Sequence, residues 1–396
     1  MGREDEICTG SHVALGNLYR RLRENSPVFW DFVQDKIRDG GCGYSSLLSF
    51  GQITPFHLPT LPLLRNFLGR YKGLRFDFGN IHLQITLEDI LYLTGLPIQG
   101  KAVLCSVSPD ETAFERVFGI PEVALERTDV QAIVESGRNN DTRMKALLLL
   151  IIVFLIDPSR GSGHITREYV QFVEKLGEVD QYAWGAALLC SLYYGLKPNA
   201  KMAKKIYAGS RGNHWITWAF LFLRVPALRN ILYDDTEAIS LEVPIFVRLM
   251  NQYGIRGWDH NPSKLKLEKA FHLLDHLEAN DVVIRPYVDV VLPPRLNNDV
   301  AFATYIGYIF CGTKVYDHRP HLLLGQFEMN TFTHVPNLRN QDGVEIKTNK
   351  GGFQKELHKR FALHLEHWNA AREHFRLHGR PHPDPDWSPE TSRQKS

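Results

Sequence analysis

The chain has 396 residues, of which 44% are hydrophobic and 23% charged, a composition typical of a folded protein rather than a disordered one. Lys and Arg number 46 against 44 Asp and Glu. No global field therefore draws the chain onto nucleic acid or an anionic membrane, and any such binding has to be local. The five cysteines include no C-x-x-C pair, so we expect reduced thiols in the cytosol or nucleus.

The start of the chain and its longest apolar run both argue against a membrane protein. The opening "MGREDEICTG" is acidic and polar, without the apolar segment of a signal peptide. The run from Ala146 to Ile156 covers 11 residues, whereas a membrane span needs roughly 20. We predict a buried core helix in this run and no membrane association.

Helical periodicity dominates the rest of the chain. Apolar residues recur at helical spacing from residue 15 to 37, again through the segment "ITREYVQFVEKLGEVDQYAWGAALLCSLYYGL", and from about 353 to 377. The segment "VVIRPYVDVVLPPRL" is β-branched and broken by prolines, which favours an extended strand or loop. We predict a mainly α, compact multi-helix domain over residues 15–378, in one or two lobes, between a flexible N-terminus (1–14) and a disordered, proline-rich tail (379–396).

One stretch departs from the helical period and predicts a small β-hairpin over residues 76–85. In "FDFGNIHLQIT" the apolar residues alternate on either side of Gly79-Asn80, a dipeptide suited to a tight turn. Pairing Phe78 with Ile81 and Phe76 with Leu83 places these side chains on one face. The hairpin is expected to lead directly into a helix.

That helix carries two adjacent acids, Glu88 and Asp89, that resemble a catalytic pair. Neighbouring helical residues point about 100° apart, however, and need not share a site. Thr86 has the hydroxyl of an N-cap, and Asp89 occupies the capping-box position three residues later. Gly95 ends the helix and Pro97 prevents its continuation. We therefore interpret the acids as a helix-start signal, each stabilising the first turn by roughly 0.3–1 kcal/mol.

These residues also resemble a known family. The order of an aromatic strand, a glycine turn, Thr86-Leu87-Glu88-Asp89, a leucine helix and Gly95-Leu96-Pro97 is similar to the signature of the plant mobile domain family. Supporting segments are "AWGAALLCSLYYGL", "RGNHWITWAFLFLRVP" and "YDHRPHLLLGQFEMNTFTHVP". In the last of these His321, Leu324, Gly325 and Glu328 depart from the usual pattern, so a role for that charged block does not carry over.

The resemblance implies a nuclear plant protein that acts in transposable-element silencing, gene expression and meristem or genome maintenance. It also implies a protein partner, with a phosphatase of the PPP class or a chromatin factor as candidates. Copies of such domains occur in transposons as well as in host genes. No catalytic residue and no cofactor are implied, so our preferred hypothesis is a non-enzymatic interaction module with structural roles for Thr86, Glu88, Asp89, Gly95, Leu96 and Pro97.

A basic segment supports an alternative hypothesis, a nucleic-acid-binding domain. Residues 197–212 contain no acid and carry five cations that could contact phosphate: Lys197, Lys201, Lys204, Lys205 and Arg211. The first four would lie near one helical face, although Pro198 limits where such a helix starts. A solvated helix face explains the same pattern.

The remaining patterns give weaker indications of chemistry. His272 and His276 are one helical turn apart, but no third metal ligand is identifiable. The histidines near the C-terminus are expected to lie on a helix face and in the tail. No segment identifies a phosphate loop, a nucleophile elbow or a Schiff-base lysine. A hydrolase assembled from distant acids or histidines is a third hypothesis, and it would require a polar cleft.

Overall fold

Helices form most of this computed structural model, which describes residues 11–53, 61–105, 112–120, 126–158, 165, 167–201, 214–234, 241–253, 262–321, 344–345 and 361–381. The α-helices are α1 Ser11–Asn25, α2 Pro27–Asp39, α3 Ser45–Gly51, α4 Leu61–Gly69, α5 Leu87–Thr94, α6 Ala113–Phe118, α7 Arg127–Glu135, α8 Asn140–Ile151, α9 Trp184–Lys201, α10 His214–Arg224, α11 Pro226–Tyr233, α12 Ile245–Tyr253, α13 Lys264–Asp275, α14 Asp299–Phe302 and α15 Ala362–His378. The mainly α fold class is confirmed. None of the helices in these described ranges is long and apolar enough to cross a membrane.

The predicted hairpin is present with the predicted register. Strands β2 (Arg75–Phe78) and β3 (Ile81–Leu83) pair antiparallel, with Phe76 opposite Leu83 and Phe78 opposite Ile81. A further short strand, β1 (Tyr71–Lys72), pairs with β2. Gly79 adopts φ 80° in the turn, a conformation that glycine reaches without steric cost. The hairpin therefore forms because its turn and its alternating apolar residues favour the same pairing.

A second small sheet was not predicted. It has the order β4-β5-β6, formed by β4 (Gly307–Cys311), β5 (Lys314–His318) and β6 (Val344–Glu345). Strand β4 packs against α9 and α15, and most of β4 and β5 is buried. Because both faces of these strands are covered, their sequence lacks the polar alternation that marks a half-exposed strand.

The apolar run at 146–156 lies in the core, as predicted. Every residue from Ala146 to Ile156 is buried, first in α8 and then in a π-helical turn over Ile152–Ile156. Helix α9 lies at the centre of the fold and packs against α4, α5, β4 and β5. The hairpin, α5 and the second sheet are thus positioned around one helix.

One helical prediction needs correction. Residues 167–172 and 176–181 form short 3-10 turns instead of the α-helix that their apolar spacing predicted. Their apolar residues are still buried, because Trp184 and Tyr182 pack edge-on against Phe172. The C-terminal helix begins at Ala362, and the predicted part at 353–360 lies outside the described residues. Segment 282–292 forms turns and irregular structure, which agrees with the prediction of an extended strand or loop.

Candidate functional site

Asp89 is the centre of a buried polar cluster at the start of α5. One carboxylate oxygen, Oδ2, accepts hydrogen bonds from the backbone N–H of Thr86 at 2.9 Å and from the Thr86 hydroxyl at 3.0 Å. The first of these bonds, from the backbone N–H of the N-cap residue to the acid three positions later, is the capping-box bond that the sequence predicted. Gly95 ends α5 in the left-handed conformation at φ 65°, again as predicted. The Asp89 side chain is fully buried.

The second oxygen of Asp89 binds two side chains that are distant in sequence. Oδ1 accepts from Nη2 of Arg224 at 2.7 Å and from the hydroxyl of Tyr287 at 3.0 Å. Neither side chain of the Asp89–Arg224 ion pair is exposed to solvent. Burial, the largest single effect, lowers the pKa of Arg224, but the charge and hydrogen bond of Asp89 together with Tyr287 and Glu88 outweigh it, so the pKa is raised. We call Asp89, Arg224 and Tyr287 the buried triad.

The triad also fixes the irregular segment 282–292, which we call the strap. The backbone N–H of Val283 donates to the carbonyl of Arg224 at 2.9 Å, and Nη1 of Arg224 donates to the carbonyl of Ile284. The ring of Tyr287 stacks on Tyr92 of α5, with centroids 4.7 Å apart and planes inclined by 6°. The strap is therefore held against α5 and α10 by side chains and backbone together.

His318 connects the second sheet to the same helix start. Its Nδ1 lies 2.5 Å from the carbonyl of Tyr305, and its Nε2 lies 3.2 Å from the backbone nitrogen of Leu87. A carbonyl only accepts and an N–H only donates, so the ring carries its proton on Nδ1 and caps the first turn of α5 through Nε2. Burial lowers the pKa of His318 to about 3.

This neutral histidine predicts acid sensitivity. Its pKa is lower in the fold than in the unfolded chain, so its stabilising contribution is present above about pH 6.5 and is lost as the pH falls toward 3. By pH 5 the free energy of unfolding has fallen by about 2 kcal/mol through this residue. We expect His318→Gln to lower the free energy of unfolding at pH 7 by about 1–3 kcal/mol, because hydrogen bonds are lost. The variant should also make the free energy of unfolding less dependent on pH between pH 4.5 and 6.5. Urea unfolding across this range, performed in a Glu88→Gln background to remove the opposing titration of Glu88, measures both effects. An unchanged slope would contradict this role.

Glu88 differs sharply from its neighbour Asp89. It is partly buried, and its carboxyl makes no hydrogen bond to any residue that the structure describes. Burial, followed by the charge of Asp89, raises the pKa of Glu88 to about 7, with Arg224 and Arg285 opposing this shift. Ionised Glu88 is therefore destabilising in the folded state, contrary to the stabilising role predicted for both acids.

We predict that Glu88→Gln stabilises the protein at alkaline pH. The pKa of Glu88 is higher in the fold than in the unfolded chain, so its contribution is fully present below about pH 4.5 and is lost as the pH rises through 7. Removing the charge should raise the free energy of unfolding by about 1–3 kcal/mol at pH 8 and by less than about 1 kcal/mol at pH 5. Urea unfolding at both pH values tests this, and a loss of stability at pH 8 would show that the carboxylate has a stabilising partner.

The loop after α5 is fixed by another buried acid. Oδ1 of Asp299 accepts from the backbone N–H of Ile98 at 2.7 Å and of Gln99 at 3.0 Å. Gly100, at the end of this loop, has φ 141°, and a Cβ there would lie 2.5 Å from the carbonyl oxygen of Gln181. Leu96 is buried in the same loop, and the carbonyl of Pro97 accepts from Gly185 of α9 at 2.8 Å. The Gly95-Leu96-Pro97 motif thus docks the end of α5 onto α9.

A second buried cluster joins β5 to the core around Asp157. Its Oδ1 accepts from Nζ of Lys314 at 2.5 Å and from the hydroxyl of Ser191 at 2.8 Å, and its Oδ2 accepts from Tyr169 at 2.6 Å. Burial by itself raises the pKa of Asp157, but Lys314 and the two hydroxyls hold it below its usual value. The pKa of Lys314 is raised by Asp157 against the opposing effect of burial. A lysine held as the ammonium ion is a poor nucleophile for Schiff-base chemistry.

Three thiols lie close to this cluster. Cys311 Sγ is 3.6 Å from the hydroxyl of Tyr169, and Cys190 Sγ is 3.7 Å from the carbonyl of Lys314. Burial raises the pKa values of Cys105, Cys190 and Cys311. The thiolate is the reactive form, so these thiols are poorly reactive.

The predicted basic segment is only partly visible. Lys197 and Lys201 belong to the last turns of α9, where the side chains are not described, and Lys204, Lys205 and Arg211 lie outside the described residues. The nucleic-acid hypothesis therefore stays a prediction. The rings of His272 and His276 lie 4.3 Å apart, and no group of three or more metal-ligating side chains occurs within the ranges that the structure describes.

Sequence reasoning missed the partners of Asp89. Arg224 and Tyr287 follow Asp89 by 135 and 198 residues, and neither forms a local pattern with it. One signal was present: Arg224 is the single charged residue that ends the apolar helix "HWITWAFLFLR", and a buried cation requires an anionic partner. His318 gave no comparable signal, because a histidine at a strand end is equally common on a surface.

The family model for the plant mobile domain matches residues 74–384, a range that contains the hairpin, α5, the buried triad and His318. The chain belongs to the plant mobile domain family. Two Arabidopsis thaliana relatives match it at lower coverage. "Protein MAINTENANCE OF MERISTEMS" is 23% identical over 269 residues, covering 64% of this chain and 53% of that protein. "Protein MAIN-LIKE 1" is 23% identical over 265 residues, covering 62% and 49%.

This plant mobile domain chain spans about half the length of the curated relatives it matches. No solved structure matches it. Within the matched range, the signature residues Thr86 and Asp89 form the helix start and Gly95, Leu96 and Pro97 form its exit. The motif is therefore explained by hydrogen bonds and packing within the fold, with Glu88 as the one member that no described contact explains.

Proposed function

We propose that this chain is a non-enzymatic nuclear protein-interaction module that acts in transposable-element silencing, gene expression and meristem or genome maintenance. Its partner is a protein, of which a PPP-class phosphatase or a chromatin factor are the candidates. Membership of the plant mobile domain family supports this proposal, and the name of one relative refers to the maintenance of meristems. Extending that role to this chain is part of the proposal.

One observation carries the non-enzymatic part. Asp89, the acid that most resembles a general base, accepts four hydrogen bonds and has no solvent exposure. A general base has to reach a substrate proton at about 2.6–3.2 Å, and here both oxygens are occupied by groups of the fold. Asp157 is bound in the same way by Lys314, Ser191 and Tyr169.

Affinity purification of the tagged full chain from plant nuclei tests this proposal. We expect the chain in the nuclear fraction and the same protein partner in independent preparations, after nuclease treatment has removed partners tethered by nucleic acid. Nuclei that express the tag alone provide the background. Recovery of no partner, or of membrane components only, would contradict the proposal.

A further inference from the structure

Exposed aliphatic side chains are concentrated in the strap. Four of its aliphatic side chains are exposed within nine residues: Val283 at 40%, Ile284 at 38%, Val288 at 69% and Val291 at 85%. Elsewhere in the described ranges, large exposed apolar side chains occur singly, at positions 28, 265, 300, 363 and 377. Scattered exposed residues are normal, whereas a concentration of them marks an interaction surface.

This apolar surface is held rigidly. Tyr287, which lies between Val283 and Val291 in the sequence, is buried. Its hydroxyl donates a hydrogen bond to Asp89 and its ring stacks on Tyr92. The backbone N–H of Val283 and the carbonyl of Ile284 are both hydrogen-bonded to Arg224, and Leu292 is buried at the end of the strap. A partner would therefore meet side chains that are already ordered, which lowers the entropic cost of binding.

Glu88 lies beside the strap. It is one helical turn from Tyr92, which stacks on Tyr287. Its charge contributes to the raised pKa values of both tyrosines, and the charge of Arg285 acts to lower the pKa of Glu88. Its carboxyl is partly removed from water and has no hydrogen-bond donor among the described residues. A partly desolvated carboxyl next to an apolar surface is complementary to a cation supplied from outside.

We propose that Glu88 and the exposed aliphatic side chains of the strap form a docking surface for a protein segment that carries a Lys or Arg among apolar residues. The apolar residues of the segment cover Val283, Ile284, Val288 and Val291, and its cation pairs with Glu88. The inference rests on the proposed interaction function and adds a location and a partner chemistry to it.

Binding at this surface should depend on pH. Glu88 is faced by Asp89 and Tyr92 from α5, by Arg224 from α10, and by Arg285 and Tyr287 from the strap. The sum of these effects leaves the pKa of Glu88 at about 7, so a basic partner binds most tightly when the carboxyl is ionised. Affinity should therefore rise between pH 6 and 8 in the wild type, and Glu88→Gln should remove this rise.

Peptide display on the immobilised full chain at pH 8 tests the proposal. We expect enrichment of peptides in which a Lys or Arg is flanked by apolar residues. Synthetic copies of the enriched peptides, measured by fluorescence anisotropy, should bind the V288S/V291S variant, which removes apolar surface without adding charge, at least about tenfold more weakly and Glu88→Gln about fivefold more weakly at pH 8. Val28→Ser, at an exposed valine far from the strap in sequence, is the matched control and should bind as the wild type does. Circular dichroism of each variant confirms its fold.

Several results would overturn the proposal. Peptides that bind V288S/V291S as well as they bind wild type would place the interaction elsewhere on the chain. Enriched peptides without a basic residue, or an affinity independent of pH, would remove the role of Glu88. If display yields no peptide while purification from nuclei recovers a partner, the docking surface is wrong and the interaction function stands. If display succeeds and no nuclear partner is found, the docking surface stands and the proposed nuclear interaction function is wrong.

Discussion

Replacing Asp89 with Asn is expected to lower the free energy of unfolding by about 3–5 kcal/mol at pH 7, because it leaves a buried guanidinium without its counter-ion. The Arg224 side chain has no solvent exposure, so water cannot replace the lost carboxylate. Asn keeps one carbonyl oxygen, which cannot serve Thr86, Arg224 and Tyr287 together. Equilibrium unfolding in urea, followed by tryptophan fluorescence, measures the loss.

A double-mutant cycle separates the energetic contribution of the Asp89–Arg224 ion pair from that of the helix cap. Arg224→Met alone should also destabilise the protein. It leaves the buried carboxylate of Asp89 without its counter-ion and removes the donor to the carbonyl of Ile284. The double variant D89N/R224M should be less destabilised than the sum of the two single variants by at least about 1 kcal/mol, because it has no unpaired charge. Additive losses would mean that the pair itself contributes nothing.

Replacing Lys314 with Met is expected to cost about 3 kcal/mol at pH 8, because Asp157 then remains as a largely buried charge without its cation. Asp157 is 14% exposed and Lys314 12%, so the pair is slightly less desolvated than the Asp89–Arg224 pair. Without Lys314 the pKa of Asp157 should rise, and the deficit should therefore be smaller at pH 5 than at pH 8. Urea unfolding at the two pH values measures this difference.

Two controls accompany this prediction. The double variant D157N/K314M, which removes both charges, should recover part of the stability lost by K314M. Lys175→Met removes a cation that pairs with Glu178 at 3.1 Å on the surface, where the lysine is 74% exposed, and should change stability by less than about 1 kcal/mol. A loss in K175M as large as that in K314M would indicate a general effect of net charge.

Local patterns were sufficient to predict the start of the signature. The register of the hairpin follows from a two-residue turn and alternating apolar residues, and the limits of α5 follow from Thr86, Asp89 and Gly95. Each of these features depends on residues only a few positions apart. The rule that carboxylates stabilise a helix start also identified the structural use of Asp89 correctly.

Long-range partners could not be predicted in this way. Asp89 meets Arg224 and Tyr287, and Leu87 meets His318 231 residues later, because tertiary packing brings three separate segments to one helix start. No spacing rule connects residues so far apart. The different fates of Glu88 and Asp89 are equally invisible in the sequence, since adjacent positions on a helix face different surroundings.

Burial also explains the errors in secondary structure. The strands β4 and β5 are covered on both faces, so they lack alternation, and the turns at 167–181 bury apolar residues at spacings that resemble those of a helix. Apolar periodicity reports which residues are buried more reliably than it reports the backbone conformation that buries them. Composition and periodicity together predicted the mainly α class.

The most direct measurement compares D89N and E88Q in the same buffer at pH 8 by equilibrium unfolding in urea. If Asp89 stabilises the fold and ionised Glu88 destabilises it, the two variants change stability in opposite directions: D89N loses about 3–5 kcal/mol and E88Q gains about 1–3 kcal/mol. Changes of the same sign in both variants, or an unchanged stability of D89N, would contradict the structural assignment of the pair.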